Sequence, residues 1–138
     1  MTRDDGDYPT LGCTVLDTPD PRALAEFYRL LLGFSYRPGD ELAPGEDDLE
    51  WLVLRDETDT PRLAFQLSLD LPRPQWPTGS PPQMLHLDLH VGDTAALERQ
   101  RKRAEALGAT VLRDRSDDAE EPLYVFADPN GHPFCIFV

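Results

Sequence analysis

Cysteine is scarce in this sequence of 138 residues: Cys13 and Cys135 are the only two, near opposite ends of the chain. With no CxxC pair there is neither a zinc-finger framework nor a dithiol redox motif, and in a reducing cytoplasm both are expected to be free thiols. Long apolar runs are also missing. No window approaches the roughly 18 residues of a membrane span, and the opening MTRDDGDYPT has no stretch that could act as a signal peptide. A cytoplasmic protein is the expectation. Basic residues are outnumbered 13 to 26, giving a net charge of −13. Such a surface repels phosphate backbones and anionic headgroups, so neither nucleic acid nor membrane is an expected partner. There is no Gly-rich phosphate loop, no GxSxG and no HExxH, which removes the nucleotide, serine-hydrolase and zincin readings.

What is present is a repeat. CTVLDTPDPRALAEFYRLLLGF, residues 13–34, can be laid over HLDLHVGDTAALERQRKRAEALGA, residues 86–109. Cys13 then falls on His86, Asp20 on Asp93, Ala23 on Ala96 and Leu24 on Leu97. Each copy reads as a strand, an acidic helix N-cap, and a helix that stops at Leu-Gly, the second helix being two residues longer. Pro21 suits an opening turn, and Leu24, Phe27, Tyr28 and Leu31 share one helix face. Three strand candidates follow each helix: 34–37, 49–55 and 62–69, then 109–113, 122–127 and 132–138. The length is about that of one domain. The sequence therefore predicts a single α+β domain of two βαβββ units, about 10–69 and 84–138, joined by the proline-rich linker 70–83. In DPNGH, Asn130 and Gly131 tolerate the positive φ angles that a tight reversal needs, so the stretch reads as a hairpin turn.

Strand parity separates the two faces of each sheet. In MLHLDLHV, Leu85, Leu87, Leu89 and Val91 go under the helix, leaving Met84, His86, Asp88 and His90 on the open face. In RLAFQLSL, Leu63, Phe65, Leu67 and Leu69 go to the core, and Ala64, Gln66 and Ser68 lie opposite. In HPFCIFV, Phe134, Ile136 and Val138 go to the core, while Pro133, Cys135 and Phe137 join His86 on the open face. The repeat alignment gives Cys13 the role of His86. Asp88 and His90 either form a proton-transfer pair or sit at an interface. Trp76, pinned in RPQWP, either covers a bound molecule or anchors the linker to the domain edge. Trp51 falls on a candidate pocket face. His132 follows the turn and is assigned no catalytic role.

The stretches DTPDPRALAEFYRLLLGF, LAFQ, RPQWPTGSPPQMLHLDLHV, LGAT and ADPNGHPFCIFV resemble the vicinal oxygen chelate superfamily of glyoxalase, bleomycin-resistance and extradiol dioxygenase proteins, and among them its glyoxalase-like members. The resemblance covers residues 10–138. It implies a cupped mixed β-sheet with helices on the outside, and a homodimer. Metal enzymes of the superfamily draw ligands from four positions, which here are Cys13, Gln66, His86 and Cys135. Only His86 keeps a common ligand type, and neither position where the superfamily carries glutamate has a carboxylate. A hard ion such as magnesium loses the anionic oxygens it prefers.

Two thiolates and an imidazole could hold zinc as Cys2His, or Cys13 and Cys135 could simply be walls of a dry pocket. The cofactor is left unknown: a divalent metal is allowed but not favoured, no residue is assigned as a metal ligand, and no catalytic residue is named. The favoured reading is a protein that binds a small organic molecule, in the manner of resistance and sequestration proteins, through Cys13, Gln66, Trp76, His86, Asp88, His90 and Cys135. The alternative is a metal-dependent lyase, isomerase or dioxygenase with an altered ligand set.

Overall fold

The computed structural model describes residues 9–41, 50–82 and 85–138. The first unit runs β1 (Thr14–Thr18), α1 (Pro21–Leu32), β2 (Ser35–Tyr36), β3 (Trp51–Arg55) and β4 (Pro61–Leu67). The second repeats the order as β5 (Leu87–His90), α2 (Thr94–Leu107), β6 (Thr110–Arg115), β7 (Leu123–Ala127) and β8 (Pro133–Phe137). Each unit makes one four-stranded mixed sheet, ordered β1-β4-β3-β2 and β5-β8-β7-β6. In both, the first strand pairs in parallel with the last and the remaining pairs are antiparallel.

The helix signals act as their chemistry dictates. Asp20 and Asp93 accept hydrogen bonds from Ala23 N and Ala96 N, each supplying an acceptor to an otherwise unpaired first-turn N–H. Both helices end on a glycine at positive φ, Gly33 at 71° and Gly108 at 117°. The apolar face of α1 is broad, with Leu24, Ala25, Phe27, Tyr28 and Leu31 buried; α2 buries only Leu97 and Ala104.

One hydrophobic cluster spans both units. Phe27 and Tyr28 of α1 touch Phe134 of the second sheet, and Tyr28 also stacks on Phe65 of the first, with ring centroids 6.0 Å apart. A polar latch lies beside it. The Tyr28 hydroxyl donates to Oδ2 of buried Asp128 at 2.7 Å, while Oδ1 accepts from the N–H groups of Asn130 and His132. His132 Nε2 lies 2.7 Å from the Asp17 carbonyl, and the Asn130 amide donates to Thr18 Oγ1. The DPNGH turn therefore clamps the second unit onto β1.

Only Gly131 in that turn takes a positive φ, 94°; Asn130 serves through its side chain. Two expectations are corrected. Leu69 is 74% exposed, because β4 ends at Leu67 and the chain turns into a linker where Pro72 and Pro74 offer no N–H for a ladder. Leu85 is 80% exposed, because β5 starts only at Leu87, opposite Phe134; the preceding partner, Pro133, has no N–H to extend the pairing. Residues 46–49 of one acidic run, the run at 4–7, and Met84 lie outside the described residues.

Candidate functional site

The second sheet gathers donors on its open face. Leu87 and Leu89 of β5 turn toward the core opposite Phe134 and Ile136, so Asp88 stands beside Cys135 on the other face. His86, two residues earlier, shares that face. His86 Nε2 is 3.1 Å from Asp88 Oδ1, and one donor atom from each of His86, Asp88 and Cys135 lies within 4.8 Å of the others. Among the described residues no other group of three His, Cys, Asp or Glu converges in this way. Burial pushes the Cys135 thiol from 9.0 up to about 11, and the charge of Asp88 and its hydrogen bond to the thiol act in the same direction.

The remaining candidates are dispersed. His90 lies against Phe137, ring centroids 5.3 Å apart, and the carboxylate of Asp88 pairs with His86 rather than with His90. Trp76 is held under the Arg113 guanidinium, 5.1 Å from the ring centre, so it anchors the linker on β6. Gln66 sits on the first sheet between Asp17 and Trp51. Cys13, just ahead of β1, lines a cavity of about 490 Å³ that Asp88 and Arg62 also reach.

Strand register upholds the repeat alignment. Trp51 opens β3 opposite Gln66 as Leu123 opens β7 opposite Phe137, and these partners pair in turn with Asp17 and His90. Counting back along the chain, Val15 is the counterpart of Asp88 and Cys13 of His86, while Ala64 rather than Gln66 matches Cys135.

The edge strands β1 and β5 border a cleft, with no ladder between them among the described residues. Thr14 and Leu87 line both of its cavities; one extends toward Asp17 and Leu85, the other toward Leu11 and Leu89. The two strands therefore pass one another in opposite directions. The first cavity, about 540 Å³, is walled by Val15, Leu16, Leu87 and the linker residues Leu71, Pro72, Pro74, Pro81 and Pro82, with Thr14, Asp17, Tyr28, His86 and His132 as its polar members. Sequence reasoning missed His132 and Tyr28 here. The available signal was the turn DPNGH, whose Asp128 accepts from both Tyr28 and His132.

Paired βαβββ units with their first strands side by side define a fold class shared with many solved structures. The chain belongs to the Glyoxalase-like domain family, matched over residues 13–137, and with it to the vicinal oxygen chelate superfamily. A glyoxalase/bleomycin resistance protein/dioxygenase family enzyme from Burkholderia phytofirmans PsJN is 20% identical, covering 91% of this chain and 95% of its own at a TM-score of 0.65. A possible glyoxalase from Bacillus cereus is 15% identical over 94% and 98%, with a TM-score of 0.64. A lactoylglutathione lyase from Agrobacterium tumefaciens is 18% identical over 95% and 94%, with a TM-score of 0.58. No curated protein matches the chain. Among the described residues no helix is long and apolar enough to cross a membrane.

The superfamily's metal site draws on both units, and the residues here do not fit it. Gln66 offers only a neutral amide oxygen, and the Cys13 sulfur is not among the donors that converge.

Proposed function

We propose that this chain binds a small, largely apolar organic molecule in the proline-walled cavity between β1 and β5, in the manner of the superfamily's resistance and sequestration proteins. The observation that supports it is the cavity itself: about 540 Å³ falls within the roughly 300–1,000 Å³ of small-molecule sites, and its walls are mainly aliphatic and proline carbon with a few polar groups. No Lys or Arg lines it, and the chain carries a net charge of −13, so a neutral or cationic ligand is preferred over an anion. The protein acts as a cytoplasmic homodimer in this reading.

The test is a thermal-shift screen of hydrophobic amines and neutral aromatics against the wild type and Val15→Trp, which fills the cavity from an exposed position on its wall. Compounds that raise the wild-type midpoint but not that of the variant support the reading, and chelator leaves their effect unchanged. Equal shifts in both proteins, or no shift from any compound, overturn it.

The alternative, a metal-dependent lyase, isomerase or dioxygenase with an altered ligand set, draws its support from the convergence of His86, Asp88 and Cys135. It requires activity that chelator abolishes.

A further inference from the structure

We propose that His86, Asp88 and Cys135 form a three-ligand site for a zinc-class ion, carried by the second sheet alone.

The strand pairing builds the site. Residues two apart on one strand point the same way, and the residue registered across a parallel pair is the nearest neighbour on that face. Asp88 and Cys135 meet the second condition, and His86, in the residue just ahead of β5, brings its ring to 3.1 Å from Asp88, so the three donors converge. The backbone beneath is fixed by Leu87, Leu89, Phe134 and Ile136 in the core cluster.

The donor chemistry selects the ion. One imidazole nitrogen, one carboxylate oxygen and one sulfur suit zinc, which accepts all three and is satisfied by four ligands, three of them from protein. Magnesium and calcium demand six or more oxygens and gain little from a thiolate. Without a cation, the Asp88 carboxylate faces both an imidazole and a half-buried thiol. A dication bound by carboxylate and thiolate is neutralised by them, and the imidazole completes the set without adding charge. In the first unit the matching positions hold Cys13, Val15 and Ala64, which supply neither imidazole nor carboxylate. The site is therefore asymmetric between the units, unlike one that draws on both.

This inference does not depend on the organic pocket, with which it shares only His86. Protein without a histidine tag, stripped of metal, is titrated with cobalt(II) and then with zinc. The expected result is one cobalt per chain with a thiolate-to-cobalt charge-transfer band in the near ultraviolet, displaced by one equivalent of zinc. Cys135→Ser removes the band; His86→Ala and Asp88→Asn each weaken cobalt binding at least tenfold; Cys13→Ser leaves both band and affinity unchanged. All three ligand positions are partly or fully exposed, and an unchanged thermal midpoint in each apo variant confirms folding. A missing band in the wild type, a band that survives Cys135→Ser, or one lost in Cys13→Ser overturns the proposal. Failure of the compound screen with a positive cobalt titration removes the pocket reading and leaves the metal site standing.

Discussion

The two units fold alike but are equipped differently. In the first, the face away from the helices presents Val15, Asp17, Gln66 and Trp51, with Val53 and Ala64 buried among them. In the second, the corresponding face presents His86, Asp88 and Cys135. The helices differ in the opposite sense: α1 packs five apolar side chains into the shared core and α2 only two. The first unit thus carries more of the packing and the second more of the chemistry. A duplicated fold can divide its labour this way, because the hydrogen-bonded frame does not depend on what its open face carries.

The largest expected effect tests whether the packing is held in common. Phe134 touches Phe27 and Tyr28 of the first unit and stacks on Phe126 of the second. Phe134→Ala should cost about 3–5 kcal/mol and lower a single melting transition seen by calorimetry. Two separate transitions would show that the units fold independently.

Next is the latch. Asp128→Ala leaves the Tyr28 hydroxyl and two backbone N–H groups without their acceptor, a loss of about 3 kcal/mol in chemical denaturation. Asp128→Asn, still an acceptor, should stay within about 1 kcal/mol of wild type at neutral pH. Burial raises the Asp128 carboxyl above its ordinary value of 3.8. A raised acid is stabilising while protonated in both states, so its contribution is full below 3.8 and lost as pH rises through the folded value. The Asn variant should lose that dependence in denaturation midpoints measured across acidic pH.

The caps give a smaller contrast. Asp20→Ala and Asp93→Ala should each cost about 1 kcal/mol. The second should bring more fraying, read as faster amide exchange in the first turn of α2, because that helix has the narrower apolar face holding it.

The smallest effect is confined to the second unit. With its thiol raised from 9.0 to about 11, Cys135 favours the folded state while protonated. Its contribution is present below pH 9 and lost as pH approaches about 11. Alkylation of Cys135, followed by mass spectrometry in Cys13→Ser, should accelerate until about pH 11. A plateau near pH 9 would mean that neither burial nor Asp88 acts on it.

Much of this was legible in the sequence. The helix caps, the βαβββ order and the core faces of the central strands follow from local chemistry and side-chain period, and the structure has them where those signals fall. Parity placed His86, Asp88 and Cys135 on one face. It could not show that Asp88 pairs with His86 rather than with His90, since both lie two residues away along the chain. The helix caps matched Cys13 with His86, and the strand registers of the two sheets agree. The proline-walled cavity was hidden because it forms where a linker with no period of its own returns over two strand edges.

The ties between the units also bear on how such a chain can change. His132 binds the carbonyl of Asp17, and Arg103 of α2 reaches the carbonyls of Leu30 and Leu31 at the end of α1. A carbonyl is present whatever the side chain, so substitutions at residues 17, 30 and 31 leave these bonds an acceptor. Along these contacts the first unit can drift in sequence without its partner having to follow. Two halves of common ancestry could in this way diverge in composition while remaining one molecule.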